Sequence, residues 1–181
     1  MATYSLEQSS LAHLLWNSRR TALLWLVIRL YVGYEWLVAG LDKVLNPAWF
    51  GGEAGASITG FVNGALKKTG GLHPDVQGWY ASFLQSTVLP NATAWANAIS
   101  VGEVLVGLGL ILGVVTGVAA FFGFFMNMNF LLAGTVSVNP ILLVLTIQLM
   151  LAWRYAGYYG GDRYVLPWLR RIFSSRRLRS P

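Results

Sequence analysis

The chain has 181 residues, a formal net charge of +6 and a mean hydropathy of +0.54, with 55% hydrophobic and 11% charged residues. That balance is too apolar for an ordinary soluble domain and reads as one integral membrane domain spanning 1–181. With no cysteine, disulfides, thiolate metal sites and iron–sulfur clusters are excluded, and His13 and His73 both lie outside the apolar runs, so neither haem nor another metal is expected.

Residues 1–20 are polar apart from a weakly amphipathic stretch at 11–16, and no small-residue cleavage site follows a short apolar core, so no cleaved signal peptide is predicted. The first predicted span covers 21–45 and ends at Asn46-Pro47. A polar, glycine-rich connection follows at 46–93 with Lys67, Lys68, His73 and Asp75. Within it, Ile58, Phe61, Val62, Ala65 and Leu66 recur at helical spacing, as do Val76, Trp79, Tyr80, Phe83 and Leu84. Two short amphipathic helices on the membrane surface are expected, with Trp49, Trp79 and Tyr80 at headgroup level; the alternative is a surface loop with a small core.

The second span is predicted at 94–112 and the third at 115–133, joined so closely that they must form a hairpin. Asn139-Pro140 opens a fourth at 139–159, proline being well suited to a first helical turn. Gly102, Gly107, Gly109, Gly113, Gly117 and Gly123 recur along spans two and three, as close helix packing in lipid requires. The expected fold is therefore all-α, an integral membrane four-helix bundle whose short amphipathic helices sit in the extracytoplasmic connection between spans one and two. Arg19 and Arg20 precede the first span, and Arg170, Arg171, Arg176, Arg177 and Arg179 fall in a basic tail at 167–181. Such clusters mark the cytoplasmic side and meet anionic membrane lipid, which places both termini in the cytoplasm of a multi-pass plasma-membrane protein. No aromatic–basic interleaving accompanies them, so nucleic acid is not an expected partner.

Charge at bilayer depth is costly and points to function. At about 1.5 Å per residue, Glu35 and Glu103 reach comparable depth, and a long Arg29 side chain could extend toward either. Glu35 and Asp42, seven apart, share a helix face that should point into the bundle. Two accounts fit. In one, Arg29 pairs with Glu103 merely to lock the helices. In the other, a buried carboxylate passes protons to or from a quinone headgroup held between them. Asn127, Asn129 and Asn139 could bind a quinone carbonyl or bridge helices, and Trp36 with Phe121, Phe122, Phe124, Phe125 and Met126 could line a ring or tail slot or simply pack.

The stretches VIRLYVGYEWLVAGLDKVLNPAW, HPDVQGWYASFL with LPNA, GEVLVGLGLILGVVTGVAAFFGFFMNMNFLLAGTVSVNP and AGYYGGDRYVLP, from Val27 to Pro167, resemble the DoxX family and in particular its DoxD-like branch. The resemblance implies a four-helix protein related to the small membrane subunit of thiosulfate:quinone oxidoreductase, which joins two thiosulfates to tetrathionate and passes the electrons to membrane quinone. It places the family's Arg and Gly of the first span on Arg29 and Gly33 and its Glu of the second on Glu103; the branch's motif words also fall on Glu35, Trp36, Asp42, Lys43, Asn127, Asn129, Asn139, Gly157 and Asp162. The expected polar centre is Arg29, Glu35 and Glu103, with Trp36, Asp42, Asn127 and Asn129 toward a non-covalent quinone. No covalent redox centre is available in the chain, so a partner subunit is expected to hold the donor. Lys67, Lys68 and His73 could attract a sulfur oxyanion or dock that partner. The rival function is a non-catalytic anchor or assembly subunit of a larger membrane complex.

Overall fold

The computed structural model describes residues 10–51 and 53–177, and among these the regular structure is helical, with no strand. The sequence readings that fall on 1–9 and on Arg179 lie outside the described residues. A short α1 (Ser10–Trp16) and a 3-10 turn (Arg19–Thr21) lead into α2 (Ala22–Val44), which stops at Asn46-Pro47 as its sequence demands. The connection carries α3 (Ala56–Leu66) and α4 (Gly78–Phe83). Next come α5 (Ala92–Leu112) and α6 (Thr116–Leu132), then α7 (Asn139–Leu151) with Pro140 in its first turn, α8 (Trp153–Ala156) and α9 (Asp162–Arg177).

Three boundaries differ from the sequence reading. The second long helix does not begin near residue 94, because α4 runs through a π-helical turn (Leu84–Val88) and a 3-10 turn (Leu89–Asn91) directly into α5. Pro90 lacks an N–H and crowds the carbonyl four residues back; the wider turn before it absorbs that misfit without ending the helix. The fourth helix breaks at Ala152 and finishes at Ala156 rather than 159. The basic tail is not loose chain up to Arg177, because its residues continue α9.

Helices α2, α5, α6 and α7 pack side by side, α2 chiefly on α5 and α6 chiefly on α7. Two glycines explain the closeness of the first pair. A Cβ on Gly107 would stand 2.5 Å from the backbone nitrogen of Leu37, and one on Gly40 would stand 2.6 Å from that of Val104. Only glycine allows those backbones to touch. The α5–α6 hairpin turns through Gly113 and Val115, both left-handed, so one glycine and one strained β-branched residue reverse the chain in three positions.

Trp25, Val32, Trp36, Val106, Leu110 and Leu149 fill the centre of the packed helices. A second core beneath the connection gathers Ile58, Val62, Val76, Tyr80, Leu84 and Val88 with Ala96 of α5. The helices of the connection thus turn their apolar stripes onto the protein. Outward, Leu23, Val27, Tyr34, Leu105, Phe122, Phe125, Ile141 and Val144 are exposed, a belt that water would penalise and hydrocarbon accommodates. Residues Arg19–Val44 and Gly78–Leu112 form helices long and apolar enough to cross a membrane, while α6 and α7 are shorter apolar helices of 17 and 13 residues. Together with the belt, they fit a membrane protein.

Candidate functional site

A cavity of about 310 Å³ opens at the end of the packed helices where the connection sits, here termed the cavity end. Glu35, Trp36, Ala39 and Lys43 line it from successive turns of α2, Glu103 from α5, Phe130 from α6, and Asn139 and Leu142 from α7; Trp49 and Phe61 close it from the connection. Its size falls at the lower end of ordinary small-ligand pockets, about 300–1,000 Å³.

The strongest polar contact in it is the ion pair between Lys43 Nζ and Glu103 Oε2 at 2.7 Å. Glu103 is 1% exposed and the Lys43 side chain 19%. Lys43 Nζ also donates to the Ala39 carbonyl at 3.4 Å and stands 5.2 Å from the centre of the Trp49 ring. The close approach at Gly40 brings α2 against the backbone of Glu103 and Val104, which sets the carboxylate within reach of the lysine. Taking two charges out of water costs several kcal/mol per ion, so the pair survives only because each partner compensates the other. Glu35 is half-buried and, among the described residues, its carboxylate has neither a hydrogen bond nor an ion pair. Trp36 stacks on Phe130 with centroids 6.4 Å apart and planes inclined by 26°, and Phe61 meets Phe130 edge-on at 6.1 Å. Flat aromatic walls therefore face an ammonium donor and two carboxylates.

The structure brings Glu35, Trp36 and Glu103 together and leaves the other expected residues elsewhere. Arg29 does not pair with Glu103. It lies buried at the opposite, hairpin end, where Nη2 donates to the Tyr159 carbonyl at 3.2 Å and the guanidinium packs so tightly on Gly113 and Gly160 that a Cβ on either would overlap it. Helical rise separates it from Glu35 by about 9 Å, and the side chain turns away from the cavity rather than toward it. Asp162 supplies the charge that offsets it. Asp162 in turn accepts from the Thr116 N–H at 3.0 Å and donates its own N–H to the Gly113 carbonyl at 2.7 Å. Asp42 is exposed on the last turn of α2 and does not line the cavity. Asn127 donates to the Asn139 carbonyl at 3.1 Å, bridging α6 to the start of α7. Asn129 donates to the Phe125 carbonyl at 2.8 Å, and its Oδ1 accepts from the Tyr80 hydroxyl at 3.0 Å, so it fastens α4 to α6. These amides bridge helices.

Lys43, Trp49, Phe61 and Phe130 are among the cavity residues that the sequence reading left out of its site. One signal was present for Lys43: it follows Ala39 by four positions and Glu35 by eight, on the turns that carry Trp36 inward. Nothing local announces Phe61 or Trp49, which arrive through the fold of the connection.

The model of the DoxX family matches residues 24–138, which run from the first turn of α2 to the residue before α7 and contain Arg29, Glu35, Lys43 and Glu103. No curated protein and no solved structure matches the chain.

Proposed function

The chain belongs to the DoxX family, and from that premise we propose that it is the membrane subunit of a quinone-linked oxidoreductase of the DoxD-like branch, serving oxidation of thiosulfate to tetrathionate. The observation that carries this reading is the buried Lys43–Glu103 pair facing an aromatic-walled cavity with a second, unpartnered carboxylate at Glu35. The donor set suits a quinone ring. Trp36 and Phe130 offer faces for stacking, Lys43 offers hydrogen atoms to a carbonyl oxygen, and the carboxylates can hold and release protons.

A bound quinone supplies the electron acceptor, and its reduction to the quinol consumes two protons. Glu103, tied to Lys43 through Oε2, holds the ammonium in place and balances its charge. Glu35, on the same cavity wall and free of partners among the described residues, is the residue from which a proton can be delivered. The thiosulfate site is assigned to a partner subunit, since a chain with no cysteine has no thiol to carry a sulfur intermediate. In the bilayer the four apolar helices act as four spans with α7 and α8 completing the last, and the arginine-bearing hairpin end faces the cytoplasm with both termini.

The test is quinone reduction by membranes given thiosulfate. Glu103→Gln and Glu35→Gln should each lower the rate at unchanged protein level; full activity in both would overturn the assignment. A second reading, an anchor subunit without chemistry, is favoured by one observation: the Lys43–Glu103 pair is complete in itself. It predicts that a partner complex co-purifies with either variant at wild-type activity.

A further inference from the structure

Among the described residues, the charges at the hairpin end are one-sided. Arg19 and Arg20 before α2, Arg154 in α8, and Arg163 and Arg171 in α9 are all exposed. The acids among the described residues lie elsewhere or inside: Glu35, Asp42, Glu53, Asp75 and Glu103 belong to the cavity half, and Asp162 is 5% exposed. Aromatic side chains are mixed with these arginines. Arg19 stands 5.4 Å from the Tyr158 ring centre and Arg154 5.3 Å from that of Trp153, while Tyr164 and Trp168 are exposed on α9. That mixture of arginine and amphipathic rings is the chemistry of a headgroup layer.

Beneath α9 lies a gap of about 430 Å³, walled by Val118 and Phe121 of α6, Met150 and Trp153 of α7 and α8, and Leu166 and Leu169 of α9. Thr116 and Asp162 also border it. The Asp162 carboxylate would repel a phosphate brought against it, but Arg29 stands behind and Oδ2 is occupied by the Thr116 N–H. Arg154 and Arg163, both exposed, directly follow Trp153 and Asp162, which line the gap. The favourable place for an anion is therefore on those guanidinium groups, with apolar matter in the gap itself.

We infer that the hairpin end holds one anionic phospholipid, its phosphate drawn to the exposed Arg154 and Arg163 next to the gap-lining Trp153 and Asp162, and an acyl chain in the gap beneath α9. The inference is independent of the quinone reading, which concerns the other end of the molecule. The lipid fastens α9 to the helices it covers, and the association weakens as salt screens the two arginines.

Native mass spectrometry of the full chain, released from vesicles of phosphatidylcholine with a minor share of phosphatidylglycerol, tests it. The expected result is one retained phosphatidylglycerol, with the double variant Arg154→Gln/Arg163→Gln retaining about tenfold less. Leu169→Trp, which fills the gap, should lose the lipid while keeping its arginines, and Lys67→Gln at the cavity end should keep it. Thermal unfolding in pure phosphatidylcholine checks each fold; should Leu169→Trp fail to fold, the arginine pair carries the test. Equal retention of both lipids, undiminished preference in the arginine variant, or equal stabilisation by inorganic phosphate alone would overturn the inference.

Discussion

The two ends of this molecule each bury a basic and an acidic side chain, yet they do so in opposite ways. At the cavity end, Lys43 and Glu103 touch at 2.7 Å beside open space. At the hairpin end, the side-chain hydrogen bonds of Arg29 and Asp162 go to backbone, Arg29 Nη2 to the Tyr159 carbonyl and the Asp162 carboxylate to the Thr116 N–H, and the gap that Asp162 borders is otherwise almost wholly apolar. A charge that binds backbone on a neighbouring segment fastens chain to chain. An ion pair that opens onto a void of ligand size with aromatic walls and a second, unpartnered carboxylate is available to something else. Depth and charge alone, which the two pairs share, therefore do not distinguish structure from chemistry; the surroundings do.

Substitutions can break or sharpen that contrast. The largest effect is expected from Arg29→Met, which leaves Asp162 buried without its offsetting charge: about 3–5 kcal/mol of stability, read by thermal unfolding in micelles, with the specific rate of the folded fraction preserved. A lost rate with intact stability would give Arg29 a chemical role after all. Glu103→Gln should lower quinone reduction about a hundredfold, within the range for loss of a proton-handling group, and should also destabilise through the unpaired Lys43. The double variant Lys43→Met/Glu103→Leu separates those effects, because replacing both charges with apolar groups of similar volume restores stability while activity stays lost. Recovery of both would make the cavity pair purely structural. Glu35→Gln should likewise cost about a hundredfold in rate, the low end for loss of a proton-delivering group, and leave unfolding unmoved, there being no partner to abandon. Smallest is Asn129→Ala, which should cost about 1 kcal/mol through the bond to Tyr80 and leave the rate unchanged.

Much of this arrangement was readable from the residues. Apolar run length located α2, α6 and the start of α7, and Asn46-Pro47 and Asn139-Pro140 marked boundaries that local sterics enforce. The hairpin at Gly113 was forced by the shortness of its link. A start at 94 misplaces the second long helix, because it takes the polar connection to run through residue 93, whereas the helix continues across Pro90 by a widened turn that packs Leu84 and Val88 into the second core. For the cavity lining, Glu35 and Glu103 were recoverable from depth, and Trp36 only as one of several aromatic side chains that could line a slot or pack. The partner of Glu103 was not. Helical rise places Arg29 and Lys43 on either side of Glu35, and only the close crossing at Gly40 decides which cation the glutamate meets. Asn127 and Asn129 show the same limit, since an amide that bridges helices and one that binds a carbonyl have identical sequence signatures.

The unbroken helical run from Gly78 to Leu112 has 35 residues. At 1.5 Å per residue it is about 52 Å long, against roughly 30 Å of hydrocarbon. It therefore stands proud of the bilayer like a mast, and the apolar face of α3 is rigged to its upper part. Any tilt of that mast carries Phe61 with it and changes the headroom above Glu103, so membrane thickness is itself a handle on the cavity.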